Sequence, residues 1–83
     1  RFNYGFALFL NGNFTEAAQQ LRPVLAAKAT DGEAYYLLAK SLEKMGDASA
    51  SDFDNQARRF LTNYAKYETD WTRTKNVDLR LRV

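Results

Sequence analysis

Residues 4–18 read Tyr4-Gly5-Phe6-Ala7-Leu8-Phe9-Leu10-Asn11-Gly12-Asn13-Phe14-Thr15-Glu16-Ala17-Ala18. Two helical stretches meet in this segment at a tight turn. Tyr4, Ala7, Leu8 and Asn11 recur at the i, i+3, i+4, i+7 positions of one helix face. Gly12 stops that helix. Asn13 then reads as a cap for the free amide groups of a second helix, with Glu16 placed three residues on to complete a capping box. The second helix carries Phe14, Ala17, Ala18, Leu21, Val24 and Leu25 as one apolar stripe. Pro23 falls inside it. A proline there removes a backbone hydrogen bond and costs ~3 kcal/mol, so the helix either ends near Leu21 or kinks. The stripe stays in phase across the proline, which favours a kinked, continuous helix.

Further on, Asp31-Gly32 breaks the chain and supplies the next cap. Ala34, Tyr35, Leu38, Ala39 and Leu42 form another stripe, ended by Gly46. A polar, small-residue link, Asp47-Ala48-Ser49-Ala50-Ser51-Asp52, leads to the last helix, with Ser51 or Asp52 as its cap. Phe53, Ala57, Phe60, Leu61, Tyr64, Tyr67 and Trp71 predict one long helix of about 18–20 residues, roughly 30 Å at 1.5 Å per residue. Beyond Trp71 the period changes. Val77, Leu79, Leu81 and Val83 alternate with Asp78, Arg80 and Arg82, the signature of an extended segment.

The two halves repeat one another. At an offset of 34 residues Gly12 matches Gly46, Leu8 matches Leu42, Asn13 matches Asp47, Gly5 matches Ala39 and Tyr4 matches Leu38. Small residues at Gly5 and Ala39 would let a paired helix approach closely. Ala17 and Ala57 would do the same in the second helices, but they stand 40 apart, which predicts about six extra residues after Gly46.

With Ala34-Tyr35-Tyr36-Leu37-Leu38-Ala39-Lys40-Ser41-Leu42-Glu43-Lys44-Met45-Gly46-Asp47 set beside residues 4–18, the chain resembles the tetratricopeptide repeat (TPR) family. That pattern has a small residue in the first helix, Gly then Asp or Asn at the turn, an aromatic next, and an alanine three residues later. Ala29 stands where the family usually has a proline. The resemblance covers roughly residues 1–67. It implies an all-α fold of two stacked antiparallel helical hairpins, a TPR-like α-solenoid fragment. Repeat 1 would span residues 1–30, and repeat 2 residues 31–71 with a turn insertion at 48–53. An extended basic tail, 72–83, would follow. Two units are fewer than the ~3 that bury a continuous repeat core, and the chain opens on Arg1 rather than Met. Both features predict upstream repeats in a longer parent chain, with the aromatic last helix as a C-terminal cap.

Composition narrows the function. The 83 residues contain no cysteine and no histidine. Thiolate and imidazole metal ligands, disulfides and the usual general base near neutral pH are all missing. Asp52 and Asp54 sit where acids suit a helix start, and no phosphate loop or nucleophile–base set can be assembled. The expectation is a chain that is not an enzyme and needs no cofactor and no metal. The net charge of +2 is uneven, with eight cations and nine anions through residue 70, then four cations and one anion after it. Four spread cations are too few for a nucleic-acid footprint. No apolar run reaches the ~18–20 residues of a membrane span. No targeting segment is visible, and the compartment stays open.

What remains is binding. In the family the inner face of each first helix lines a concave groove, and the resemblance places Phe2, Phe6, Phe9 and Leu10 there in the first unit and Tyr36 and Lys40 in the second. Aromatic side chains supply most interface anchors. The expected function is a protein-interaction module that holds a peptide or protein partner through Phe2, Phe6, Phe9, Tyr36 and Lys40. The competing expectation is a structural end cap with no ligand of its own, its rings packed on an upstream repeat or on the tail. Lys40 and Lys44 stand one turn apart, as basic groove residues do in the chaperone-binding branch, where they clamp a terminal carboxylate. The matching first-unit positions here are aromatic, so that clamp is incomplete. Phe60, Tyr64, Tyr67 and Trp71 read as a core or capping face before they read as a stacking platform.

Overall fold

The structure, a computed structural model, describes residues 1–73. Five helices follow one another: α1 (Phe2–Leu10), α2 (Phe14–Ala27), α3 (Gly32–Met45), α4 (Ala50–Phe60) and α5 (Tyr64–Arg73). Each of α1 to α4 packs on its neighbour in sequence, and α1 also reaches α3. Short turns join α1 to α2 and α3 to α4, so these pairs form two helical hairpins stacked through α2 and α3. The shared core is built from Phe2 and Phe6 of α1, Ala18 and Leu21 of α2, and Ala34, Leu37, Leu38 and Leu42 of α3.

The turns follow from the glycines. Gly12 and Gly46 both sit at positive φ, 81° and 73°, where a Cβ is strained. Gly46 ends α3 with its amide donated back to Glu43 and the Asp47 amide donated to the Leu42 carbonyl. Gly46→Ala is therefore expected to destabilise the domain by about 1 kcal/mol, read as a lower urea midpoint with unchanged slope. At Gly5 the reason is space. A Cβ would stand 3.1 Å from Leu21 Cγ, so the missing side chain lets α2 lie close against α1. Helix α2 runs unbroken through Pro23, as its in-phase stripe predicts. Asp31 caps α3, its Oδ1 accepting the Ala34 amide at 3.1 Å.

Several local expectations are corrected. Asn13 precedes α2 but makes no side-chain capping bond. The residue capping α4 is Ser49, not Ser51 or Asp52, and it too makes no side-chain bond into the helix. Instead the Ser49 hydroxyl and amide both donate to Asp47, at 2.7 and 2.9 Å. These bonds, the hydroxyl's first, hold the Asp47 carboxyl below the usual carboxylate range. Because α4 already starts at Ala50, residues 50–53 of the expected 48–53 insertion are helical.

The largest correction concerns the single long helix expected from Phe53 to Trp71. Leu61 leaves the helix with φ −85° and ψ 127°, and the chain restarts at Tyr64. Asn63 caps the new helix, its Oδ1 accepting the Lys66 amide at 3.2 Å. The corner is seated on Gly32, at the start of α3. Helix α5 runs on through Arg73, past the expected tail boundary at 72. The alternating stretch 77–83 and the rest of the basic tail lie outside the described residues.

Candidate functional site

The resemblance places Phe2, Phe6, Phe9, Tyr36 and Lys40 on the inner faces of α1 and α3, and in the structure four of them contact side chains of α5 while Phe2 touches Phe6. Phe6, Phe9, Tyr36 and Lys40 meet α5 directly. Trp71 stands edge-on to Phe6 (5.2 Å between ring centroids), Phe9 (5.8 Å) and Tyr36 (5.3 Å). Phe2 lies behind Phe6 at 6.4 Å. Tyr67 and Tyr64 meet Tyr36 edge-on at 5.1 and 5.7 Å. Edge-to-face pairs of this kind are favourable because the positive rim of one ring faces the negative face of the next.

This arrangement changes the status of the aromatic row. An open, solvent-facing groove is not what the structure has. Phe2, Phe6 and Tyr36 are buried, with relative exposures of 5%, 1% and 0%, and Phe9 is half-buried between Phe14 and Trp71. The physical reason is the break at residues 61–63. It turns α5 back over α1 and α3, so that Tyr64, Tyr67 and Trp71 fill the trough. Leu10, expected on the same face, is largely exposed.

Charged groups frame the covered trough. Lys40 Nζ lies 5.2 Å from the centroid of the Tyr36 ring and 3.7 Å from both Glu43 and Glu68. Glu68 belongs to α5, so this ion pair ties the covering helix to α3. Lys40 is thus engaged on three sides, and the carboxylate clamp with Lys44 has no support in this geometry. Tyr67 adds a second tie by donating its hydroxyl to Glu33 at 3.2 Å. The corner itself is held by Tyr64. Its hydroxyl donates to Asp54 of α4, and Arg58 stacks its guanidinium 4.1 Å from the Tyr64 ring centroid.

Burial first, and then the hydrogen bond to Asp54, push the Tyr64 phenol above the usual tyrosine range. The raised folded value means that the protonated form favours folding. The contribution is complete below the ordinary value of about 10 and is lost as pH rises through the folded value. In an absorbance titration, the difference between the wild type and Tyr64→Phe should show phenolate appearing only above that ordinary value. Ionisation at about 10 would mean that the corner contact is absent in solution.

Searches against protein-family models, curated proteins and solved structures return no match. Among the described residues no group of His, Cys, Asp and Glu could hold a metal ion. No helix there is long and apolar enough to cross a membrane. A second concavity, about 620 Å³, lies at the ends of α1, α2 and α3 and is lined in part by Phe2, Pro23, Val24, Ala27 and Lys28. It shares only Phe2 with the expected site.

The sequence reading missed the covering role of α5. Two signals bear on it: the Asn63 cap, which marks a helix start, and the spacing of four, three and four from Phe60 to Trp71. In the structure Phe60 leaves that set and stacks instead on Tyr35 at 5.7 Å.

Proposed function

We propose that this chain is a helical protein-interaction module of tetratricopeptide-repeat type, whose trough between α1 and α3 receives an amphipathic helix or peptide. One observation carries the reading. The trough already holds a helix, α5, through side chains alone: three aromatic anchors, one ion pair and one hydroxyl bond. A surface with that grip suits helix-in-groove recognition, where aromatic anchors spaced by three and four seat on an apolar floor. The absence of histidine and cysteine from the sequence supports binding rather than catalysis.

The test uses the single tryptophan of the chain. Trp71→Ala removes the largest anchor of α5 and leaves the variant free of tryptophan. A peptide of residues 62–73 then carries the only Trp71 in the sample. Titrating it with the variant should move its fluorescence to the blue and saturate, while circular dichroism confirms that the variant stays helical. The full burial of Phe6 and Tyr36 favours a second reading, a structural end cap with no ligand of its own. A folded variant that leaves the peptide emission unmoved would establish that reading and remove the first.

A further inference from the structure

The stretch 50–73 carries two helical solutions in one sequence. It contains no glycine and no proline, and its apolar positions stay in phase across the corner, from Phe60 and Leu61 to Tyr64, Tyr67 and Trp71. Sharp helix breaks almost always rest on Pro, Gly or an inserted group. Here the break rests on a few local contacts. They are the Asn63 cap on Lys66, the Tyr64 hydroxyl on Asp54, Arg58 over the Tyr64 ring, and the seat of residues 60–61 on Gly32.

The cap and the Tyr64 contacts belong to the bent form only. In a straight helix Asp54 and Tyr64, ten residues apart, would stand roughly 15 Å apart along the axis. The contacts of α5 with the trough are different in kind. Trp71 on Phe6, Phe9 and Tyr36, Tyr67 on Tyr36 and Glu33, and Glu68 on Lys40 join α5 to α1 and α3 across space. They depend in no way on which chain α5 comes from.

We infer that a second copy of this chain is a partner for the trough, with α4 and α5 straightening into one helix and each copy delivering its α5 to the other. Exchange of this kind keeps every α5–trough contact and adds backbone hydrogen bonds through 61–63. Against it stand the corner contacts and the loss of freedom on association. A short hinge joining two elements that also form one continuous helix is a recognised setting for such swapping. No outside partner would present a better copy of the α5 surface than α5 itself. The inference rests on the seating of α5 and stands whether or not an external peptide binds.

The test is made on the full chain. Asn63→Ala and Tyr64→Phe, singly and together, remove bent-form contacts and keep the Tyr64 ring on Tyr36, and Asn63→Ala also improves the helical propensity of the hinge. Each should raise the dimerisation constant measured by sedimentation. The pair should do so by at least about tenfold, because the lost cap penalises the bent form in both chains. The natural absence of cysteine allows the topology to be read directly. Lys40→Cys in one chain and Glu68→Cys in another, each in the double-variant background, should form a disulfide between the two chains under mild oxidation. Helical variants that remain monomeric at millimolar concentration would overturn the inference. A dimer that never yields the 40–68 cross-link would overturn it equally, since the copies would then associate without exchanging α5.

Discussion

Trp71→Ala is expected to lower the melting temperature by roughly 10–20 °C. Trp71 touches Phe6, Phe9, Tyr36 and Tyr67 at centroid separations of 5.2 to 6.4 Å. Removing a well-packed large aromatic destabilises by about 3–5 kcal/mol. Trp71 keeps partial exposure, which places the loss nearer about 2–3 kcal/mol. In a domain of this length each kcal/mol is worth roughly 4–8 °C. The polar ties are minor beside this, because ion pairs in contact with solvent, such as the half-exposed Lys40–Glu68, are worth about 0–1 kcal/mol. Lys40→Met should therefore move the midpoint by only a few degrees, while Trp71→Ala dominates. Thermal melts followed by circular dichroism compare the two. A Trp71→Ala midpoint within the spread of Lys40→Met would mean that α5 contributes nothing to the closed trough.

The second large effect is at Gly32. Propensity alone says that alanine should help there, since glycine is worse than alanine in a helix by as much as about 1 kcal/mol. Packing says the reverse. A Cβ on Gly32 would lie 2.9 Å from Leu61 Cγ, from the Leu61 nitrogen and from the Phe60 carbonyl carbon. A side-chain tip could swing away. Two backbone atoms of the corner move only if the end of α4 moves with them. Overpacking of this kind costs typically 1–3 kcal/mol, so the steric term wins. Gly32→Ala is expected to lower the urea midpoint with a net loss of about 1–2 kcal/mol. An unchanged or raised midpoint would show that the α4–α5 corner is not seated on α3.

How much of this was legible in the sequence depends on the range of each signal. Gly12, Gly46, the Asp31 cap and the stripe that carries α2 through Pro23 are all local, and each lies where the pattern puts it. Gly5 was legible too, because a small residue inside an apolar helix face asks for a close neighbour. The corner at 61–63 was not. Periodicity reports which residues share a face, and the face of 53–71 is the same whether the helix is straight or folded back. Only Asn63 breaks the pattern, and a single asparagine is a weak stop. The seat on Gly32, nearly thirty residues upstream, is a long-range fact that no window contains.

The candidate site shows the same division. Phe2, Phe6, Phe9, Tyr36 and Lys40 were named as a set because the resemblance to the repeat family puts them on the inner faces of α1 and α3. Their covering could not be read from that set. It required knowing that Tyr64, Tyr67 and Trp71 return to them, and the sequence shows those rings only as an apolar face without an address. The competing expectation put the rings on an upstream repeat or on the tail, whereas the side chains that cover Phe6 and Tyr36 come from α5.

Helix α5 closes over the aromatic trough, and the lone tryptophan reports on it without interference. In the wild-type chain Trp71 should emit to the blue of free tryptophan and be only weakly quenched by acrylamide. Both properties should change towards those of free tryptophan as the chain unfolds in urea. Emission and quenching equal to those of free tryptophan in the folded chain would mean that α5 stands in water and leaves the trough open.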